Sequence, residues 1–279
     1  MKTLMKILIA AAVLFLLVAI VILFAIYNSA SAPQEVLEEK TFGAEIEEMD
    51  IRVENARVDL LPSNDSTTRV VLTGNSDEFT LKTGITGSRL TIEVEDRSRL
   101  FVFGFHRSYS LQIYVPENGL ASIAVNSNNG TIQAEEIRVA ELSLEADNGR
   151  IGLKAIDSEN ILIETANGAV DLTEITADIN VRSSNGRIVF TDVAGELQAK
   201  ANNGRIELSA ETLDSPIDFE TNNGRIEIHT ETEPANARIQ ARAENGSIDV
   251  YGRDLGQVSF GSGDVLIKLD TENGRIVVD

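Results

Sequence analysis

The chain has 279 residues, no Cys, no Trp and two His, and it carries a formal net charge of −20 with 43% hydrophobic residues. That hydrophobic share supports a packed core. The acidic balance is the opposite of a nucleic-acid footprint, and without cysteine there is no disulfide, thiolate metal site or thiol nucleophile.

The amino terminus reads MKTLMK followed by an uncharged apolar run from Ile7 to Tyr27. About 21 helical residues span a bilayer core of ~30 Å, so residues 7–27 are expected to be a transmembrane anchor. Lys2 and Lys6 precede the run and acids follow it, which places residues 1–6 in the cytoplasm and the bulk of the protein outside. A cleaved signal peptide is the rival reading, because Ala30-Ser31-Ala32 has the small-x-small pattern. The apolar run is longer than a usual signal core, and Pro33 would follow the cleavage site. Residues 28–40 read as a polar tether.

Residues 41–120 are expected to form irregular β coils or a cap. Asn55-Ala56 looks like a degenerate corner flanked by Met49, Ile51, Val53, Val58 and Leu60. Strand-like runs follow at 69–73, 79–83, 89–94 and 109–115, separated by loops rich in Ser, Thr, Asn, Asp and Gly. Phe101, Phe103 and Phe105 share one face of a segment bent at Gly104. They read as a hairpin folded over the solenoid end, or as an aromatic contact tip for a partner or membrane surface.

From residue 121 to 279 the chain repeats. Asn-Gly pairs end at Gly130, Gly149, Gly168, Gly186, Gly204, Gly224, Gly246 and Gly274, mostly 18–20 residues apart and looser towards the end. The slots seven, five and three before each Gly, and two and four after it, are apolar or small. Around Gly204 they are Leu197, Ala199, Ala201, Ile206 and Leu208. Two alternating stretches around one turn predict half-buried strands. A near-constant period predicts an all-β, single-stranded parallel β-helix or solenoid, rather than a ladder of type I′ hairpins. Gly is expected to supply a positive φ at each corner, and the stacked Asn side chains a polar ladder. Arg150, Arg187, Arg205, Arg225 and Arg275 then point outward, with Asp171, Glu207, Glu227 and Asp249 beside the row. They form either a solvated salt-bridge face or a stripe that recognises carboxylate or phosphate groups.

The strand LQIYVPENGLASIAVNSNNGTIQA, followed by small-x-Asn-Gly-Arg-Ile repeats, resembles the bacterial putative-adhesin family of β-helical envelope proteins. The likeness covers residues 49–279, and it implies a β-helical envelope protein with no catalytic residues to carry over. One anchor before one such domain also resembles the membrane-anchored member of the Lia envelope-stress operon of Gram-positive bacteria.

An enzyme of the β-helical polysaccharide-processing type would need clustered carboxylates on one face. Here the outward acids are spread evenly, and His106 and His229 lack metal-ligand spacing. No catalytic, cofactor or metal residues are expected. The expected function is a non-catalytic, membrane-anchored, extracytoplasmic adhesin-like protein. It would bind a cell-wall polymer or envelope protein, with self-association through an open solenoid end as a further contact. The alternatives are a polysaccharide-processing enzyme and a modulator of a membrane sensor.

Overall fold

Inward slots that recur in every coil must stack on their equivalents in the next coil, and this stacking organises the protein. The computed structural model describes residues 34–43, 45–97 and 108–279. The expected anchor, and Phe101, Phe103 and Phe105, lie outside the described residues. No helix occurs among the described residues, and the architecture is all-β and solenoid-like.

The regular rows are β2 (Glu48–Pro62), β7 (Leu120–Glu135), three successive rows within the continuous β8 (Val139–Ala194), β9 (Leu197–Ala210), β10 (Ile217–Thr230), β11 (Ala237–Val250) and β13 (Val265–Val278). Adjacent rows pair in parallel and in register, Asn on Asn and Gly on Gly, instead of folding back as hairpins. Asn55-Ala56 takes the same register against Asn129-Gly130, so β2 is the first row. Each row has a first arm before the Asn-Gly corner and a second arm after it. Ile179, Val181, Ile188 and Phe190 are buried, as are Leu197, Ala199, Ile206 and Leu208 one row on. Each full burial of such an aliphatic side chain contributes about 1.5–3 kcal/mol.

The corner glycines are required for a different reason from the expected one. Gly130 and Gly149 have the expected positive φ, at 158° and 155°, whereas Gly168, Gly186, Gly204, Gly224, Gly246 and Gly274 do not. The constraint is close approach. A Cβ on Gly204 would sit 1.9 Å from the carbonyl oxygen of Gly186, and one on Gly224 would sit 1.7 Å from that of Gly204. Ala56 is tolerated because no earlier corner stacks on it; it is Gly130 that must lack a side chain, 1.9 Å from the Ala56 carbonyl. At the opposite bend, non-glycine residues take positive φ at Glu136, Ala155, Glu174 and Asp192.

The amino-terminal cap continues the core. On the outer edge of β2, β5 (Arg89–Asp96) pairs with Glu48–Arg52 and β6 (Tyr109–Val115) pairs with Ala56–Pro62, both in parallel. Beyond them lie β4 (Phe79–Thr86), antiparallel to β5, and β3 (Thr68–Gly74), antiparallel to β6. β1 (Glu35–Phe42) then pairs antiparallel with β3. Part of the stretch expected as tether is a strand: Leu37 and Phe42 pack against the core, and Glu38 accepts a hydrogen bond from the Leu81 backbone N–H at 2.9 Å.

The carboxy-terminal rows do not follow chain order. β13 lies between β10 and β11, pairing in parallel with both, and β11 is the last full row. A short antiparallel strand, β12 (Gln257–Ser259), closes the first arm of β11 at Arg238–Gln240.

Candidate functional surface

The row register fixes every outward side chain into strips, and three of them carry chemistry. At the corner, Asn129, Asn148, Asn167, Asn185, Asn203, Asn223, Asn273 and Asn245 each donate Nδ2 to the Oδ1 of the row before, at 2.9–3.1 Å, beginning on Asn55. One amide's polarity fixes the next, so the ladder runs in a single direction.

The second arm carries the arginine row. Arg150 and Arg187 share Asp171 at 3.7 and 3.2 Å. Arg205 bonds Glu207 at 2.9 Å and reaches Glu227 at 3.7 Å, Arg225 bonds Glu227 at 2.9 Å, and Arg275 lies 3.7 Å from Asp249. The hydrogen bond to Glu207 raises the pKa of Arg205 further. All five guanidiniums are thus paired with carboxylates within their own strip. Exposed pairs of this kind are worth ~0–1 kcal/mol each. An anionic ligand would have to displace these carboxylates.

The first arm presents a different face. A shallow groove crosses four rows, lined by Glu141, Asp178, Glu196, Leu162, Asn180 and Gln198. Asn180 Nδ2 donates to Gln198 Oε1 at 3.2 Å, and Gln198 Nε2 donates to Glu196 Oε1 at 2.9 Å. The backbone N–H of Glu196 donates to Asp178 Oδ1 at 2.9 Å. Leu162 stands between Ser143 and Asn180 with 38% of its surface exposed. Beside the groove, Arg182 bonds Glu164 at 2.9 Å and Lys200 bonds Glu220 at 2.6 Å; the latter contact raises the Lys200 pKa.

Sequence reasoning found the arginine strip and missed this groove. Its signal is the slot six before each Gly, where Ser143, Leu162, Asn180 and Gln198 interrupt an otherwise charged surface. No group of three or more metal-ligating side chains occurs among the described residues. His229 contacts Asp279 through Nδ1. The aromatic tip at Phe101, Phe103 and Phe105 lies outside the described residues.

The Asn-Gly register spans most of the chain, and a family model covers the same span, matching residues 46–279. The chain belongs to the Toastrack DUF4097 family. This Toastrack chain also matches solved structures. A putative adhesin from Bacteroides fragilis NCTC 9343 is 15% identical, with a TM-score of 0.55, over 87% of this chain and 97% of that one. At that identity the likeness is one of fold. A putative cell adhesion protein from Clostridium sporogenes ATCC 15579 is 10% identical with a TM-score of 0.30, over 88% and 99% of the two chains. No curated protein matches the Toastrack chain significantly.

Proposed function

We propose that this Toastrack protein is a non-catalytic, adhesin-like module of the bacterial cell envelope. It is anchored by residues 7–27, with its amino terminus in the cytoplasm and its solenoid outside. In this reading the architecture is a single-stranded parallel β-helix, and the first-arm groove holds an extended, hydroxyl-rich wall polymer. The observation that carries the ligand assignment is the contrast between strips. The arginine row is internally neutralised, whereas the groove offers side-chain amides, carboxylates and one exposed leucine across four rows. Side-chain amides donate to and accept from sugar hydroxyls, carboxylates accept from them, and a shallow groove on a flat sheet suits a polymer better than a small molecule. The name of the Bacteroides fragilis structural neighbour, a putative adhesin, accords with an adhesive role.

The full chain, labelled and mixed with purified cell-wall sacculi, is expected to co-sediment with them. Asn180→Lys together with Gln198→Lys should reduce binding at least fivefold, while Arg205→Ser on the other arm should leave it unchanged. Failure of the wild type to bind, or equal loss in both variants, rejects the groove. Protease added to intact cells is expected to digest the solenoid; protection would reject the outside location.

A second reading, modulation of a membrane sensor in an envelope-stress response of Gram-positive bacteria, rests on the expected anchor and the short connection to β1. Deleting the gene and following a stress reporter with and without cell-wall antibiotics separates it from adhesion. An unaltered reporter response rejects it.

A further inference from the structure

The two ends of the solenoid are finished differently. At the amino-terminal end, β5 and β6 cover the outer edge of β2 on both arms. At the other end β12 pairs only with Arg238, Ile239 and Gln240 of the first arm. The chain returns along Val250 through one antiparallel bridge to Arg253, and Gly256 then accepts from the Ala241 N–H, so residues 253–256 cross the end. No strand pairs with the outer edge of Glu244–Asp249 among the described residues.

The core is open at the same place. The slot filled by fully buried Ile206, Ile226 and Ile276 in inner rows is filled here by Ile248, which is only partly buried, and Ala243 is likewise half-exposed. Leu255, on the crossing segment, is 55% exposed. The polar ladder also ends unfinished, since Asn245 donates to Asn273 and its own Oδ1 accepts no side-chain hydrogen bond among the described residues. An edge with free backbone groups, a half-open apolar slot and an unused acceptor is a template for another strand.

Charge points to the occupant. The chain as a whole carries −20, yet the segment that builds this end, residues 237–264, sets Arg238, Arg242 and Arg253 against Glu244, Asp249, Asp254 and Asp264. Two copies meeting here escape the repulsion that opposes contact elsewhere on the surface. A two-fold axis at Ser247 sets Gly246 opposite Ile248 and Asn245 opposite Asp249, so no like charges face each other. The pairing stops short of Val250, whose outward N–H and C=O already bond Arg253, and it leaves the two Ile248 side chains diagonal neighbours on one face. Such an interface is isologous and closes at two subunits.

We infer that the uncovered second arm of β11 pairs antiparallel with the same arm of a second copy. This pairing completes both cores and makes the protein a dimer joined at its carboxy-terminal end.

The absence of native cysteine gives a clean test with the full chain in mild detergent. Ser247→Cys is expected to cross-link through a short bis-maleimide into a species of twice the 30.3 kDa chain mass. Asn202→Cys, on the exposed corner of an inner row, is expected to stay monomeric. Adding Ile248→Lys to Ser247→Cys should reduce the cross-linked fraction at least fivefold. Leu255→Lys, a replacement on the surface that leaves the core intact, should reduce it as well. A monomeric Ser247→Cys chain overturns the inference. So does equal cross-linking at Asn202→Cys, which would mean contact through the anchor alone, and so does full cross-linking in both lysine variants. A heterogeneous adduct from cells in place of the doubled mass would assign the edge to a foreign strand and overturn it equally.

Discussion

Asn245 donates to Asn273 at 3.1 Å, although Asn273 lies 28 residues later in the chain and one row further in. The ladder therefore follows spatial order and ignores chain order. A rung's energetic weight depends on how many neighbours it bonds. Asn203 donates to Asn185 and accepts from Asn223, whereas Asn245 makes one bond. At about 0.5–1.5 kcal/mol per net bond, Asn203→Ala should cost about 1–3 kcal/mol and Asn245→Ala about half of that. Guanidinium unfolding of the two variants compares them directly, and equal losses would contradict the directional ladder.

Close approach at the corner sets a sharper expectation. Gly204→Ala must push its row away from the Gly186 carbonyl, so the loss should exceed about 3 kcal/mol. Gly84 in β4 has nothing within 4 Å of its would-be Cβ, and Gly84→Ala should be neutral or stabilise by up to about 1 kcal/mol. Tm values by calorimetry that move together in the two variants would defeat the packing explanation.

The opposite bend carries strain that glycine would relieve. Ala155 sits at φ 53°, a conformation costing an L-residue about 1–2 kcal/mol. Ala155→Gly recovers that cost and loses about 0.4–1 kcal/mol to the freer unfolded chain, for a net gain near 0.5 kcal/mol. A midpoint that falls in urea would show that the bend is held at no cost.

In the core, Phe190 and Phe219 come from rows two apart and stack with ring centroids 5.4 Å apart, across the row that holds Ala199. The methyl of Ala199 leaves room for that stack. Ala199→Leu should therefore cost about 1–3 kcal/mol by overpacking, although leucine suits strand interiors elsewhere in the core. Thermal unfolding that is unchanged or raised would show spare volume.

Acid should loosen the ends before the middle. Hydrogen bonds from Thr67 hold the Asp65 carboxyl below its ordinary pKa, Lys82 does the same for Glu95, and Asn236 with Ser262 does so for Asp264. Two of these acids are in the amino-terminal cap and one is in the turn before β13. A folded pKa below the unfolded value means that the stabilisation is complete above the unfolded pKa, near 4, and is lost as pH falls through the folded one. Hydrogen exchange at pH 3 should show early loss of protection in β4, β5 and the 260–264 turn, with β8 and β9 still protected. Uniform loss would contradict this.

Much of the fold was legible because the inward slots repeat. Leu142, Ile161 and Ile179 announce their rows without any neighbour's help. The glycine requirement was legible only as a requirement. Whether Gly204 is needed for its own φ or for its neighbour's carbonyl depends on the distance between rows, which no single row encodes. The inserted position of β13 left a trace in the wider spacing before Gly274, but the order of two rows that both fit the register is decided by the crossing segment and β12. The groove stayed hidden because its residues are ordinary one at a time. Leu162, Asn180 and Gln198 become a surface only when rows 18 residues apart are laid side by side.

Placing β13 between β10 and β11 also gives the protein a check on its own completeness. β10 and β11 carry matching registers and could zip together directly, Asn223 against Asn245, if residues 265–278 had not yet emerged. The native end can form only when that pairing is withheld or undone. A chain cut short before Val265 would thus close into a shorter stack of its own and never present the native end.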